Sequence, residues 1–440
     1  MKIAWFKEVI TPEVGAYLAG YNLKEKSVMK HDDLLADGLC MDDGERKVLL
    51  IGLDLLGVDE WFVKKIRQIC SGILGIPESA VLVTCTHTHN GPEARTLASH
   101  PERLRMDYLN KLETILTDSV RKMTPENFRE CECYFYSCQC DENRNRRYTA
   151  GDNHATFTPH RREVVPLANS FADKELGGLV FRDPETTLPL YAIGNYAAHP
   201  LAGHSMGLGG RRISADFPGV FREYVKANTG ADAMFISGAA GDMVPREDEL
   251  GEDAVNSMGI RLGKQALAYM LEAVRNPLRF GMPEAKVGSC IRTFTVPLRK
   301  KYRNNPARLP KPYLGKDDVT LEIQCVSVGD VCFVGVPGEL CAELGQEIKW
   351  HSPFRRTFIA YNSTAYFAYI GPANFLVAGG YEACSQRIGA RGGLELVKTA
   401  SDAMFELHEE LYPSSADDPY PDNCAETLVN ILPNRKPRVS

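Results

Sequence analysis

The chain has 440 residues, of which 44% are hydrophobic and 25% charged, values typical of a globular protein that folds in water. Its formal net charge of −6 excludes a general nucleic-acid binder, because no excess of lysine and arginine is available for a phosphate backbone. No stretch approaches the roughly 20 apolar residues of a membrane span, and the amino terminus lacks the apolar core of a signal peptide. We therefore expect a cytoplasmic protein without stable membrane insertion.

The first elements in chain order form a predicted strand–helix–strand unit. A β-rich run at Lys47–Leu55 precedes Val58–Leu74, where apolar residues recur on one helical face. A stop at Gly75-Ile76-Pro77 leads into a second β-rich run at Ser79–Thr86. Such a crossover connects parallel strands, so the sequence predicts a sheet that is at least partly parallel.

The remaining pattern alternates between strands and helices. Further strands are predicted at Leu188–Ala198, Ala233–Ser237, Ile291–Pro297 and Thr357–Tyr361, with a hairpin of Val319–Val328 and Val331–Val336 turning at Gly329-Asp330. Helices are predicted at Phe217–Asn228, Glu252–Arg275, Leu340–Trp350 and Gly393–Tyr412. This order indicates an α/β fold of mixed sheets flanked by helices, with one domain over residues 1–412 and a peripheral tail over residues 413–440.

Cysteine usage indicates reduced thiols rather than a disulfide framework. The 13 cysteines are an odd number and lie mostly in apolar runs. Four of them fall close together, at Cys131, Cys133, Cys138 and Cys140, in a segment that alternates like a half-buried strand. A metal site formed by these thiols is the alternative, although none of the spacings is the usual C-x-x-C.

Two histidine groups follow predicted strands. His87 and His89 are two residues apart, so in extended backbone both imidazoles point to the same side of the chain. His199 follows the strand that ends before Pro200, and His204 lies nearby. Ligands often bind at strand ends of α/β folds, so these histidines suggest a metal site. The alternative is that they are structural histidines hydrogen-bonded to loop carbonyls.

Two further segments carry polar groups. Glu339 follows a strand that ends in Pro337-Gly338, at the predicted start of a helix. A carboxylate there binds a cation or simply complements the helix dipole. The aromatic stretch from Tyr361 to Tyr369 is either a pocket wall or part of the core.

Taken together, these segments resemble the catalytic N-terminal domain of the neutral, non-lysosomal ceramidase family. The opening at Ile10–Gly15 and Leu18–Tyr21 is similar to the family's first motif, and Thr86–Pro92 is similar to its Thr-His-Thr-His-Ser-Gly-Pro run. Ser237–Pro245, Pro337–Glu339 and Tyr381–Ala383 match in the same order, so the resemblance extends from about residue 9 to about residue 390.

The resemblance implies a zinc-dependent amide hydrolase. It assigns the zinc ligands to His87, His199, Glu339 and Tyr369, with Tyr366 and Tyr361 as alternatives to the tyrosine. His89 would act on the substrate beside the metal, and Arg144, or alternatively Arg146, would face the substrate oxygen. Asp242 would orient a ligand imidazole or, alternatively, cap a turn. Zinc in such a site would activate water at neutral pH.

The chain departs from the family pattern at two positions. Val244 replaces the family's serine, which excludes a serine nucleophile at this position, and Arg246 replaces a small polar residue. No amphipathic segment for a membrane surface is present, whereas arginines are frequent near the predicted site, at Arg144, Arg146, Arg147, Arg211, Arg212 and Arg246, with a glycine run at Gly207–Gly210.

These features favour a small polar substrate with an amide bond, and an anionic group on it is an open alternative. Hydrolysis of an ester, lactone or glycosidic bond, and a non-catalytic ligand-binding protein, are the other hypotheses. Iron or manganese remain alternatives to zinc, since affinity alone selects poorly among these metals. Nothing in the sequence indicates the oligomeric state.

Overall fold

The computed structural model describes residues 1–20, 25–96, 100–149, 155–157, 165–166, 171–205, 211–246, 252–306 and 309–413. Within these ranges the strands are β1 (Lys2–Val9), β2 (Met29–Lys30), β3 (Leu35–Asp42), β4 (Lys47–Leu53), β5 (Val81–Cys85), β6 (Arg129–Glu130), β7 (Glu132–Gln139), β8 (Asn143–Asn145), β9 (Arg147–Thr149), β10 (Ala155–Phe157), β11 (Val165–Pro166), β12 (Glu175–Arg182), β13 (Pro189–Tyr196), β14 (Arg212–Ile213), β15 (Asp232–Ser237), β16 (Met243–Pro245), β17 (Val287–Pro297), β18 (Asp318–Val328), β19 (Val331–Gly335), β20 (Glu339–Leu340), β21 (Arg356–Ala360) and β22 (Tyr369–Ile370). The helices are α1 (Glu60–Leu74), α2 (Met106–Arg121), α3 (Phe217–Thr229), α4 (Glu252–Arg275), α5 (Pro277–Phe280), α6 (Ala342–Trp350), α7 (Ala373–Ala378), α8 (Tyr381–Ser385) and α9 (Gly392–Leu411).

Two layers of β-sheet form the centre of the fold. The first is a sheet of order β5-β4-β3-β1-β6, and the second contains the sheets β15-β13-β12-β7 and β17-β18-β19-β21. The amide of Asn195 links the two sheets of the second layer, because it donates to the carbonyls of both Ile236 and Ile359. Gly52 of the first layer packs directly against Met234 of the second, and an apolar core includes residues of both layers.

Helices cover the outer faces of both layers. Helices α1 and α2 pack on the first sheet, α3 and α4 on the sheet β15-β13-β12-β7, and α6 and α9 on the sheet β17-β18-β19-β21. Each helix buries an apolar face, as Phe62, Val63 and Ile66 of α1 illustrate. The architecture is therefore four layers, α/β/β/α, which confirms the predicted mixed α/β class.

Most of the predicted elements are confirmed. Strands β4 and β5 are parallel and joined by α1, and the hairpin of β18 and β19 turns at Gly329-Asp330 as expected. Strands β1, β3 and β12 were not predicted. The glycine run at Gly207–Gly210 and residues 414–440 lie outside the described residues, so the assignment of a peripheral tail stays a prediction.

In the three larger sheets, three pairs of neighbouring strands are parallel and point toward one edge of the fold. These pairs are β4 with β5, β13 with β15, and β19 with β21. Loops that follow parallel strands leave the sheet at its carboxyl edge, where α/β proteins bind ligands. This topology brings distant parts of the chain together at that edge.

The cysteine segment is part of a sheet. Cys133 and Cys138 lie in β7, Cys131 and Cys140 flank it, and all four side chains are buried. Burial raises the pKa of Cys131 and Cys140 to about 12 and that of Cys138 to about 11, so the thiols stay protonated at neutral pH. The prediction of a strand with cysteines as small apolar residues is confirmed.

Thiol reactivity should therefore be confined to few positions. Cys384 is exposed, whereas the other cysteines of the described residues are buried. We expect Cys384→Ser to remove one equivalent of fast labelling by a thiol reagent in the native protein, and Cys138→Ser to leave the fast phase unchanged. An unchanged fast phase in Cys384→Ser would contradict the burial pattern.

A buried charge network crosses the two layers near α3. The guanidinium of Arg222 donates from Nη1 to Asp54 Oδ1 at 3.0 Å and to Asp37 Oδ2 at 3.2 Å. Oδ1 of Asp37 has no hydrogen-bond partner within the described residues. Burial, offset only in part by Arg222, raises the pKa of Asp37 to about 7.

Stability should therefore depend on pH through Asp37. An acid with a raised native pKa retains its proton in the folded state while the unfolded chain has lost it, so stability falls as pH rises from about 4 to about 7. We expect Asp37→Asn to be more stable than the wild type by about 1–2 kcal/mol at pH 8 and by much less at pH 4, measured by urea unfolding. A difference between the two proteins that is the same at both pH values would contradict this account.

Candidate active site

Polar side chains that follow four of these strands meet at the carboxyl edge. His87 follows β5, His199 follows β13, Glu339 follows β19, and Tyr361 follows β21. All four side chains are at least 98% buried. Because buried polar groups cost free energy unless they are paired or ligated, this convergence indicates a functional site.

His87 is held in a strained backbone conformation. Its φ is 69°, in the left-handed region that non-glycine residues rarely adopt. The Nδ1 atom lies 2.7 Å from the carbonyl oxygen of Leu56, which can only accept a hydrogen bond. Nδ1 also lies 2.8 Å from the side-chain amide nitrogen of Asn362, and Nε2 faces Glu339, whose Oε2 lies 3.5 Å away.

His199 repeats this arrangement. Its Nδ1 lies 2.5 Å from the carbonyl oxygen of Ala240, and its Nε2 lies 3.3 Å from Oε2 of Glu339. Nε2 is buried and has no hydrogen-bond partner within the described residues. Carbonyl oxygens thus contact Nδ1 of both imidazoles and orient the rings, which leaves Nε2 available as a ligand atom.

His89 lies beside these two imidazoles. Its Nε2 is 3.4 Å from Nε2 of His87, and its ring centroid is 5.6 Å from that of His199. Gly20 permits this position, since a Cβ there would lie 2.5 Å from Nδ1 of His89. The ligand atoms of the three histidines lie within 4.8 Å of one another.

Three tyrosines surround Glu339. The hydroxyl of Tyr366 donates to Oε1 of Glu339 at 2.5 Å, and that of Tyr361 donates to Oε2 at 3.3 Å. Tyr369 pairs with Glu339 in the parallel ladder of β20 and β22, and its hydroxyl accepts a hydrogen bond from Arg146 at 3.0 Å. All three tyrosine candidates thus border the same carboxylate.

The donor set fits a divalent cation. Burial, followed by the charge of Arg146, lowers the pKa of His199 to about 4, and burial with the charge of His87 holds the pKa of His89 well below its usual range. Burial alone would raise the pKa of Glu339, but contacts with His87 and His199 hold it well below its usual value. Neutral imidazoles beside an ionised carboxylate are the form in which these groups bind zinc.

Arg146 contacts this group through Tyr369. Its Nη2 donates to Tyr369 Oη and to the carbonyl of Gly241 at 2.9 Å, and its Nε donates to Glu382 at 2.8 Å. Arg144, preferred in the sequence analysis, lies in β8 opposite Val244 and is partly exposed. The structure therefore brings the alternative, Arg146, to the predicted site.

Glu382 was matched to a motif but received no role from the sequence. Its carboxylate binds two buried arginines, Arg146 through Oε1 and Arg147 through Oε2, at 2.8 and 2.9 Å. The Arg147 guanidinium also stacks on the Phe375 ring, 3.7 Å from its centroid. Two adjacent arginines in an otherwise buried segment require a buried acid, and that signal could have indicated Glu382.

Asp242 connects two segments of the chain next to the site. Its Oδ1 accepts from the backbone N–H of Ala342 at 2.8 Å and its Oδ2 from the amide of Asn145 at 2.7 Å. Ala342 begins α6, so the carboxylate caps that helix start and ties it to the strand before Arg146. The observed partners of the His199 Nδ1 are the carbonyls of Ala240 and Met243 rather than the Asp242 side chain.

The two departures from the family pattern lie outside this group of contacts. Val244 is buried in β16 opposite Arg144, and Arg246 is exposed and pairs with Asp141 at 2.5 Å.

Within the described residues, no helix is both long enough and apolar enough to cross a membrane.

Comparisons with known proteins relate the fold to ceramidases. No known family profile and no curated protein sequence matches the chain. Neutral ceramidase from Pseudomonas aeruginosa superposes with a TM-score of 0.74 at 17% identity, over 92% of this chain and 74% of that chain. A structure of ceramidase complexed with C2 gives a TM-score of 0.75 at 16% identity, over 93% of this chain and 75% of that chain. The chain thus has a neutral-ceramidase-like fold.

Proposed function

We propose that this chain, which has the fold of neutral ceramidase, is a zinc-dependent hydrolase that cleaves the amide bond of a small polar substrate. The observation that carries the proposal is the convergence of His87 and His199 Nε2 on Oε2 of Glu339, at 3.5 and 3.3 Å. Three facing acceptor atoms in a buried place repel one another unless a cation lies between them.

His87, His199 and Glu339 would hold the metal, with Tyr369 as the tyrosine ligand or substrate contact. When bound, zinc supplies a Lewis acid that polarises a carbonyl and activates water. The chain's own residues then position the reacting groups. In hydrolysis, water adds to the carbonyl carbon, the C–N bond breaks, and the amine leaves with a proton.

His89 is suited to transfer that proton, since its imidazole adjoins both ligand imidazoles. Tyr369 is suited to stabilise charge on the carbonyl oxygen. Arg146 donates to its hydroxyl oxygen, and this positive charge would support donation of the hydroxyl proton to the substrate oxygen. Asp242 and Glu382 are positioning residues that hold Arg146 in place.

A panel of four bond types tests this function. Zinc-loaded protein would be incubated with matched N-acyl amides, esters, lactones and glycosides, and product release measured. We expect the amides to have the highest kcat/KM, and we expect His89→Ala and Tyr369→Phe to lower kcat by about 100-fold, with zinc content unchanged in His89→Ala.

The other outcomes distinguish the competing hypotheses. Preferential cleavage of an ester, lactone or glycoside would replace amide hydrolysis by that reaction while keeping the metal site. Stoichiometric zinc with no turnover of any bond would favour a ligand-binding protein. Full activity in His89→Ala would contradict the role given to that residue.

A further inference from the structure

Two arginines stack on adjacent aromatic rings beside the candidate metal centre. The guanidinium carbon of Arg95 lies 4.3 Å from the ring centroid of Tyr366, and that of Arg387 lies 5.4 Å from the ring centroid of Phe367. Tyr366 in turn donates its hydroxyl to Glu339. Only one aromatic side chain therefore separates Arg95 from a proposed metal ligand.

The two arginines differ in how their charge is balanced. Glu93 binds Arg95 in a bidentate pair, at 2.7 Å to Nε and 2.8 Å to Nη2. In the part of the chain that the structure describes, no carboxylate pairs with Arg387, and its buried Nη1 has no hydrogen-bond partner. Within the described residues Arg387 thus lacks an ion-pair partner, and the more distant Glu339 offsets its charge only in part.

An unpaired guanidinium in such a place is costly. Burial, which is only partly offset by Tyr366 and is reinforced by the charge of Arg95, lowers the pKa of Arg387 to about 10. The buried arginines Arg67, Arg146 and Arg222 are paired with acids, Arg67 with Glu322, Arg146 with Glu382 and Arg222 with Asp54. Arg387 is half-buried and has no such partner among the described residues. Packing alone does not account for Arg387, because an apolar side chain would fill the same space without this cost.

A cavity with a volume of about 780 Å³ reaches the same two aromatic rings. Trp61, Tyr313, Tyr366 and Phe367 contribute to its wall, together with Thr96, which follows Arg95 in the chain. This volume is in the range of sites for small molecules. A substrate that enters along this wall would approach Glu339 from the side of Tyr366.

We propose that Arg387 binds a carboxylate group of the substrate, so that the hydrolase prefers acyl amides that carry a negative charge. A guanidinium offers a planar pair of N–H donors that matches a carboxylate. This inference rests on the proposed function and adds the class of substrate to it. It involves arginines other than those that the sequence analysis considered.

Binding of a ligand that cannot be hydrolysed tests the subsite. The probes are 3-phenylpropane-1-sulfonate and the neutral 3-phenylpropyl methyl sulfone, because a sulfonate retains the anion but is a poor zinc ligand. Zinc-loaded wild type is expected to bind the sulfonate at least about tenfold more tightly than the sulfone in calorimetric titrations. Arg387→Ala and Arg387→Gln should abolish this preference, whereas Arg391→Ala, which removes an exposed arginine of the same segment, should keep it.

Stability and turnover separate the possible explanations. We expect the thermal midpoint of the Arg387 variants to equal or exceed that of the wild type, since an unpaired charge is removed. Their kcat/KM should fall for carboxylate-bearing amides and stay unchanged for neutral ones. Equal affinity of the wild type for both probes, or a preference that survives in both Arg387 variants, would overturn the subsite.

The two proposals fail in different ways. If the sulfonate preference depends on Arg387 but no amide is cleaved, the subsite stands and the proposed reaction falls. If neutral and anionic amides are cleaved equally, the reaction stands and the subsite falls.

Discussion

His199→Ala is expected to weaken zinc binding by more than about 100-fold and to reduce amide hydrolysis to the background rate. Nε2 of His199 is 3.3 Å from Glu339 Oε2 and has no other partner in the described residues, so alanine removes a ligand without breaking another contact of that atom. Metal content would be measured by mass spectrometry after dialysis against a weak chelator.

His408→Ala is the matched control. His408 is also a buried histidine, but it lies in α9 and packs on Phe354 with ring centroids 5.2 Å apart. This variant should lose some stability and keep one zinc per chain. If His199→Ala kept stoichiometric zinc as tightly as His408→Ala does, the ligand assignment would be wrong.

Glu382→Ala is expected to have the largest effect on stability. The carboxylate is 3% exposed and binds Arg146 and Arg147 at 2.8 and 2.9 Å, and both guanidiniums are buried. Burial opposes its ionisation, but the charges of these arginines hold the pKa of Glu382 below its usual range. Its removal leaves two buried cations unpaired, which costs about 3–5 kcal/mol.

Activity should fall as well, because Arg146 would lose the contact that orients it toward Tyr369. Urea unfolding measures the stability, and kcat on the preferred amide measures the second effect. Glu409→Ala, which removes an exposed acid of α9, should change stability by less than about 0.5 kcal/mol. A loss of less than about 1 kcal/mol in Glu382→Ala would contradict the network described here.

Local sequence patterns predicted much of the fold. Helix α4 has the predicted bounds, and the turn at Gly329-Asp330 has the predicted place. Strands β1 and β3 were missed because their sheet order depends on long-range pairing, such as Trp5 with Leu39, that no local pattern reveals. In β3, Asp37 interrupts an apolar run, and only the distant Arg222 accounts for its burial.

The site could be predicted only in part, because its geometry also depends on contacts that no local pattern reveals. His87 and His199 were recognisable because each follows an apolar strand that ends at a polar residue. The choice among the tyrosines could not be made, because their segment is irregular, with positive φ at Asn362 and Ala368. The choice between Arg144 and Arg146 depended on how the short strand β8 pairs with β16, which three residues of sequence do not determine.

Arg387 illustrates a further limit of sequence reasoning. In the sequence it is one arginine among the chain's 51 basic residues. Its importance follows from the absence of a carboxylate beside it in the described structure, which only three-dimensional contacts show. The arginine proposed to bind the substrate thus differs from those that sequence proximity suggested.

The central claim is that a metal held by His87, His199 and Glu339 serves amide hydrolysis. The most direct test is to strip the purified protein of metal, add zinc back stepwise, and follow amine release from an N-acyl amide. We expect activity to be at background without metal and to reach its maximum at about one zinc per chain, with a first coordination shell of nitrogen and oxygen at about 2.0–2.2 Å in X-ray absorption. Full activity in the metal-free protein, or a zinc shell containing sulfur at about 2.3 Å, would contradict the account.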